Sequence, residues 1–167
     1  MNKKIFITGA SGFAGKSLTN FLKKKKFQII PSSFKNTKNV KSIKIDLTKK
    51  ILMKKNLSWI IHSAAHHRVK DFKSKPKLKG KKNILMVKNL INFMKINKVK
   101  NFIYFSTIDL NFSPYPVQKK IYCKSKEICE KILLSELEKK NLEKLIILRL
   151  PAIVGKHCGD NFIKNTL

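Results

Sequence analysis

The stretch Lys4-Ile5-Phe6-Ile7-Thr8-Gly9-Ala10-Ser11-Gly12-Phe13-Ala14-Gly15 decides the fold. A short apolar run that meets glycines at once reads as a strand buried on both faces, ending in a turn. Behind it Ala14, Leu18, Phe21 and Leu22 recur at helical spacing, and Lys23 to Lys26 fall in the last turn, where cations favour the helix dipole. The unit is strand, glycine turn, helix. Gly9 permits the tight turn, Gly12 lets a pyrophosphate come close to the backbone, and Gly15 lets the helix pack on the strand. Backbone N–H groups at the helix start would hold the phosphates. Dinucleotide binding is therefore the expected use of this turn.

Outward from that unit, apolar runs and helical periodicities alternate. Phe27 to Ile30, Ser42 to Asp46, Trp59 to His62, Asn101 to Ser106 and Leu145 to Leu150 read as further strands. Leu47 to Lys55, Asn83 to Ile96 and Lys119 to Lys139 read as helices, the second on the spacing of Ile84, Val87, Leu90, Ile91 and Met94. The Lys-rich stretch Lys70 to Lys82 reads as a loop. Such alternation specifies an α/β fold, a doubly wound parallel sheet with helices on both faces. Ligands of such sheets bind beyond the carboxyl ends of the strands, so the residues after strands one, two, four and five carry the function.

The 167 residues suit one domain, and 43% hydrophobic residues are too many for a disordered polycation. Lys and Arg number 38 against 9 Asp and Glu, a formal charge of +29, yet only Arg68 and Arg149 are arginines and the lysines run from Lys3 to Lys164. A nucleic-acid arm concentrates its charge and uses Arg for bidentate phosphate contacts, so polyanion binding is the minor reading. Cys123, Cys129 and Cys158 form no CxxC pair, which fits a reducing cytoplasm. No apolar run approaches the roughly 18 residues of a membrane span. Lys3-Lys4 before Ile5-Phe6-Ile7 imitates a signal peptide, but the run is too short, and a cytoplasmic location is expected. His62, His66 and His67 lack a matching carboxylate or Cys, so no metal site is expected.

Thr8 to Gly15 resembles the TGxxGxxG turn of short-chain dehydrogenases/reductases, and its Gly-Phe-Ala-Gly ending resembles their extended branch, the NAD-dependent epimerase/dehydratase family. Further motifs follow in order, from Lys3 to about Gly155. Asp46-Leu47 resembles the pair that meets the adenine, His62-Ser63-Ala64-Ala65 the HxAA segment lining the cofactor, and Asn83 the Asn that opens the following helix. The resemblance implies a Rossmann-type fold, with a cofactor site of Gly9, Ser11, Gly12, Phe13, Ala14, Gly15, Asp46, Leu47, Ala64, Ala65, Asn83, Ser106, Tyr122 and Lys126. NAD-preferring members place an acid at the end of the second strand, where this chain has Pro31-Ser32-Ser33-Phe34-Lys35. No carboxylate there repels a 2′-phosphate, and Ser33, Lys35 and Lys38 could receive one, which leans the choice between NAD and NADP toward NADP. Solvated lysines in a Lys-rich chain are the equal alternative.

Tyr122 and Lys126 stand four residues apart, hence on one helix face. An ammonium there lowers the phenol's pKa toward the range of a useful acid–base group. Tyr122-Cys123-Lys124-Ser125-Lys126 resembles the family's YxKSK form, which implies that Tyr122 exchanges a proton with substrate while Lys126 bonds the nicotinamide ribose. Ser106-Thr107 resembles the Ser-Ser/Thr step, with Thr107 on the third catalytic position and Ser106 beside the cofactor; a one-residue shift to Ser106 is the alternative. Cys123 reads as a packing residue, and Arg68 as a surface residue or an anion contact. Arg149 to Gly155 resembles the passage into a smaller substrate-binding domain, so residues 1–155 are expected to form the NAD(P)-binding domain and 156–167 a remnant of that passage. The resemblance implies a nucleotide-sugar substrate, hydride transfer, and a homodimer through the helices of Asn83 and Tyr122. A catalytically silent NAD(P)-binding or regulatory protein is the competing expectation.

Overall fold

The structure, a computed structural model, describes residues 4–35, 41–67, 75–153 and 155, without the Gln118 side chain. Six strands form one sheet: β1 (Lys4–Thr8), β2 (Gln28–Ser33), β3 (Ile43–Lys44), β4 (Trp59–His62), β5 (Asn101–Thr107) and β6 (Lys144–Leu150). Their order is β3-β2-β1-β4-β5-β6, and every pairing is parallel. The order reverses between β1 and β4, which places a crevice at their carboxyl ends. Among the described residues three α-helices cover the faces: α1 (Phe13–Lys24), α2 (Pro76–Ile96) and α3 (Lys120–Glu138).

The two faces of β1 show why the opening run has no polar alternation. Ile5 and Ile7 join Ala10 and Ile61 in a cluster against Leu18 and Leu22 of α1. Phe6 points the other way, into the larger cluster with Val87, Leu90 and Met94 of α2 and Cys129 and Leu133 of α3. A strand with helices on both sides must be apolar at every position. Phe21 departs from the expected apolar stripe of α1: it is 55% exposed, with the Lys25 ammonium 5.9 Å from its ring centre.

Three expectations are corrected by the fold. No helix forms over Leu47 to Lys55. Asp46 instead accepts from the Thr48 backbone N–H at 2.9 Å and from its hydroxyl at 2.6 Å, a local turn that competes with helix. The rest of that segment borrows its hydrogen bonds from α2: Asn89 donates to the Leu47 carbonyl, and Asn97 accepts from the Lys55 N–H and donates to the Met53 carbonyl. With Ile51 and Leu57 buried, an extended strap satisfies the core as well as a helix would. Second, α2 starts at Pro76 rather than Asn83, so the lysine stretch is helix from Pro76 onward, while 70–74 lie outside the described residues. Proline at the first helical turn lacks only an N–H that would have no partner there. Third, β2 runs through Pro31 to Ser33, Pro31 pairing with Ile7, while β3 shrinks to two residues.

Candidate active site

The carboxyl ends of β1 and β4 are tied together beneath the glycine turn. The Thr8 hydroxyl and His62 Nδ1 lie 2.7 Å apart, and Ser63 donates to the Thr8 carbonyl at 2.7 Å. Burial holds the His62 pKa down at about 3, with the Lys126 charge adding to the effect, so the ring is neutral and serves the core. Gly9 has φ +70°, and a Cβ there would stand 2.7 Å from the Ala64 backbone nitrogen, so the turn and the Ala64 loop meet backbone to backbone. A Cβ on Gly15 would collide with the Gly9 carbonyl oxygen, which is how closely α1 backs onto the turn. Gly12 is the N-cap of α1 and no side chain caps that end. The helix thus presents its first N–H groups and positive dipole end with no side chain bonded to them, a fit for a dinucleotide's pyrophosphate. Ser11 and Gly12 are exposed there, and Phe13 and Ala14 are half-buried.

The end of β2, where the sequence suggests an adenosine ribose would lie, is less open than expected. Ser33 is buried, its hydroxyl donating to the Lys35 carbonyl at 2.7 Å and lying 2.6 Å from Ser42 Oγ. Lys35 is exposed, and Lys38 lies outside the described residues. The Thr48 hydroxyl on Asp46 holds that carboxyl below the usual carboxylate range, and Leu47 is packed into the core.

Across the switch point, Asn83 acts as a clamp. Its side-chain oxygen accepts from the His66 N–H at 2.8 Å, and its amide donates to the His66 carbonyl at 3.0 Å and to Ser125 Oγ at 3.3 Å. Ser125 in turn donates to the Tyr122 carbonyl at 2.7 Å. The Ala64-Ala65 loop is thereby fastened to the helix that carries Tyr122. His67 is exposed, and Arg68 lies outside the described residues.

Tyr122 and Lys126 sit on α3 one turn apart, beside the end of β5. Lys126 is 3% exposed; its ammonium donates to the Phe105 carbonyl at 2.6 Å and lies 5.8 Å from the Tyr122 ring centre. Burial lowers the Lys126 pKa to about 8, so it is charged at neutral pH. Burial raises the Tyr122 pKa above its ordinary value, with the Cys123 and Asp109 charges adding to the rise, so the phenol holds its proton. Cys123 beside it is fully buried, as a packing residue is.

The β5 hydroxyls divide in an unforeseen way. Thr107 donates to Asp109 Oδ2 at 2.9 Å and accepts from the Asp109 N–H at 3.3 Å, capping a short 3₁₀ turn at Ile108–Asn111. Lys119 grips both Asp109 oxygens at 3.0 Å. Ser106 is 5% exposed, and among the described residues its Oγ is the buried side-chain atom that makes no hydrogen bond. A buried hydroxyl without a partner at this edge is what a ligand group would satisfy. Sequence reasoning missed Asp109; its signal was the spacing Thr-x-Asp at a strand end, where Thr and Asp bond local backbone. Arg149 of β6, expected only as part of a motif, bonds the buried Glu130 carboxylate at 2.7 and 3.2 Å.

A glycine cradle, a half-buried Tyr122 beside a buried Lys126, and a partnerless strand-end serine therefore share one edge of one sheet. The model of the NAD dependent epimerase/dehydratase family matches residues 5–167. The chain belongs to this family. No curated protein matches it. Among solved structures, the UDP-N-acetylglucosamine 4-epimerase from Bacillus cereus is 22% identical with a TM-score of 0.77, over 98% of this chain and 58% of that one. The UDP-glucose 4-epimerase from Bifidobacterium longum, in complex with NAD+ and UDP, is 21% identical with a TM-score of 0.77, over 88% and 52%. The UDP-glucose 4-epimerase from Thermotoga maritima, with UDP-glucose, is 20% identical with a TM-score of 0.75, over 87% and 54%. At such identities the likeness is one of fold, and this epimerase/dehydratase family member spans about half the length of each. Among its described residues no helix is long and apolar enough to cross a membrane.

Proposed function

We propose that the chain binds NAD or NADP along the carboxyl edge of the sheet and takes part in hydride-transfer chemistry on a nucleotide sugar, with Tyr122 as general acid/base. The single observation that carries this is the Tyr122–Lys126 pair, a half-buried phenol beside a buried ammonium at the end of β5, on the same edge as the uncapped glycine turn. The Gly9 to Gly15 turn and the α1 N-terminus would hold the pyrophosphate, and Ala64 and Ala65 would line the cofactor above β4. Ser106 would supply a hydroxyl to the cofactor, and Lys126 a hydrogen bond to the nicotinamide ribose. A nicotinamide held there would supply hydride acceptance and return.

Tyr122, protonated in the free chain, can give its proton to a carbonyl oxygen. For the reverse direction its phenolate must be stabilised by the Lys126 ammonium close by. Thr107 already donates its one hydrogen to Asp109, so toward substrate it acts as an acceptor and orients a hydroxyl. Of the two cofactors NAD is the better supported: structural neighbours include a UDP-glucose 4-epimerase in complex with NAD+ and MoeE5 in complex with NAD, and the Ser33 hydroxyl is already engaged by its own loop. Residues 1–155 as a cofactor domain, and the substrate class, belong to the same proposal.

Calorimetric titration with NAD and NADP tests the binding. Failure of both to bind at millimolar concentration would remove the central claim. With cofactor bound, Tyr122→Phe is expected to abolish oxidation or epimerisation of a UDP-sugar while leaving cofactor affinity within a few fold. Turnover that survives this change refutes the role of Tyr122, and wild-type binding without turnover favours a silent cofactor-binding protein.

A further inference from the structure

The Lys126 ammonium is buried, and among the described residues it forms no salt bridge of its own. Cys129 and Glu130 on its helix favour the charge, but the Glu130 carboxylate is engaged by Arg149 at 2.7 Å and burial still outweighs both. An isolated buried charge is strongly disfavoured, so something else must stabilise it. The residues around it supply two groups. One is the Phe105 carbonyl at 2.6 Å. The other is the ring of Tyr104, whose centre lies 4.6 Å from the ammonium, closer than that of Tyr122.

Strand alternation puts Tyr104 there. Phe102 and Tyr104 point into the cluster under α2 and α3, whereas Ile103 and Phe105 pack against the cluster under α1. The Tyr104 ring is 1% exposed and also stacks on His62, with centroids 5.7 Å apart and planes 25° apart. Because His62 is neutral, it brings no second cation to the ring. The ring face carries the negative lobe of the aromatic quadrupole and attracts an ammonium, most strongly where water is excluded.

We infer that Tyr104 is a positioning residue for Lys126: its ring face, together with the Phe105 carbonyl, fixes the ammonium at the end of β5 and keeps it charged beside Tyr122. This rests on the reading of Tyr122 and Lys126 as the acid–base pair. The groups that face Lys126 are His62 from β4, Tyr104 from β5, and Tyr122, Cys129 and Glu130 from α3, with Arg149 of β6 on the far side of Glu130. None but Tyr104 lies face-on to the ammonium within 5 Å of a ring centre.

The test is the ionisation of Lys126 itself, in the full chain without cofactor. In protein labelled with 13C at lysine Cε, the Lys126 resonance is displaced by the Tyr104 ring current and is identified by its loss in Lys126→Met. Its midpoint is expected near pH 8. Tyr104→Leu should lower that midpoint by about one pH unit, and Tyr104→Phe, which keeps the ring, should restore it. A midpoint that Tyr104→Leu leaves in place overturns the inference, as does one that Tyr104→Phe lowers equally. If the leucine variant does not fold, a series of increasingly fluorinated phenylalanines at position 104 decides: the midpoint must fall stepwise as the ring face loses electron density, and a flat series refutes the role. Failure of NAD and NADP to bind would overturn the proposed function but leave this titration standing, so the two failures are distinguishable.

Discussion

Gly15→Ala sets two effects of known size against each other. In a helix, alanine is favoured over glycine by about 1 kcal/mol, so propensity alone predicts a more stable protein. The built site predicts the opposite. A Cβ on Gly15 would overlap the Gly9 carbonyl oxygen and stand 2.8 Å from the Gly9 carbonyl carbon and 3.0 Å from Ala10 Cα. All three are backbone atoms of the turn and cannot rotate aside, so α1 must retreat by on the order of 1 Å to restore ordinary contact. Overpacking of that kind costs about 1–3 kcal/mol, and the clash wins. The expected outcome is a net loss of roughly 1–2 kcal/mol in urea unfolding, with dinucleotide affinity reduced at least about tenfold because the helix N–H groups move off the phosphates. Gly80→Ala in α2 is the control: its Cβ would meet a side-chain methyl of Ile121 at 3.1 Å, a neighbour that can yield. That variant should be within about 1 kcal/mol of wild type, on the stable side. A Gly15→Ala protein as stable as wild type with unchanged affinity would refute the account of the turn.

Three further outcomes follow from the same geometry. The folded-state pKa of His62, about 3, is below its ordinary 6.5, so the unfolded chain binds the extra proton between those values and stability falls as pH drops through that window. Unfolding free energy should decline by up to about 1.4 kcal/mol per pH unit between pH 6 and 5, above the range where carboxylates such as Asp46 contribute, and His62→Leu should flatten that slope. Lys126 likewise has its pKa lowered, from 10.5 to about 8, so it opposes folding at neutral pH and the penalty is relieved as pH rises from 8 to 10.5. Lys126→Met should therefore gain about 1–3 kcal/mol in denaturant unfolding at pH 7, net of the lost Phe105 bond, while weakening cofactor binding in calorimetry. Asn83→Ala removes the side chain that bonds both the His66 N–H and the His66 carbonyl, and is expected to cost about 2–4 kcal/mol in stability and to raise hydrogen exchange at His66.

The sequence by itself determined the strand–turn–helix unit, the parallel α/β class and the Tyr122–Lys126 spacing, because each is written in local signals: an apolar run, glycines, and a period that puts residues four apart on one face. It placed five of the strands within a few residues for the same reason. Where a segment's hydrogen bonds come from elsewhere, local reading failed. The Leu47 to Lys55 strap looks helical until Asn89 and Asn97 of α2 are seen to satisfy its backbone. The start of α2 was hidden because Lys77 to Lys82 carry little apolar period, and only docking of Gly80 against Ile121 and Ser125 shows why that turn is wound.

At the site, composition marked Ser106 and Thr107 as two similar hydroxyls; the tertiary structure alone ties Thr107 to Asp109 and leaves Ser106 buried without a partner. The ammonium of Lys126 tells the same story most sharply. Its position on the helix is a matter of sequence spacing. Its burial, its carbonyl partner and the aromatic face beneath it come from β5 and β4, strands distant in sequence that only folding brings within reach of one charge.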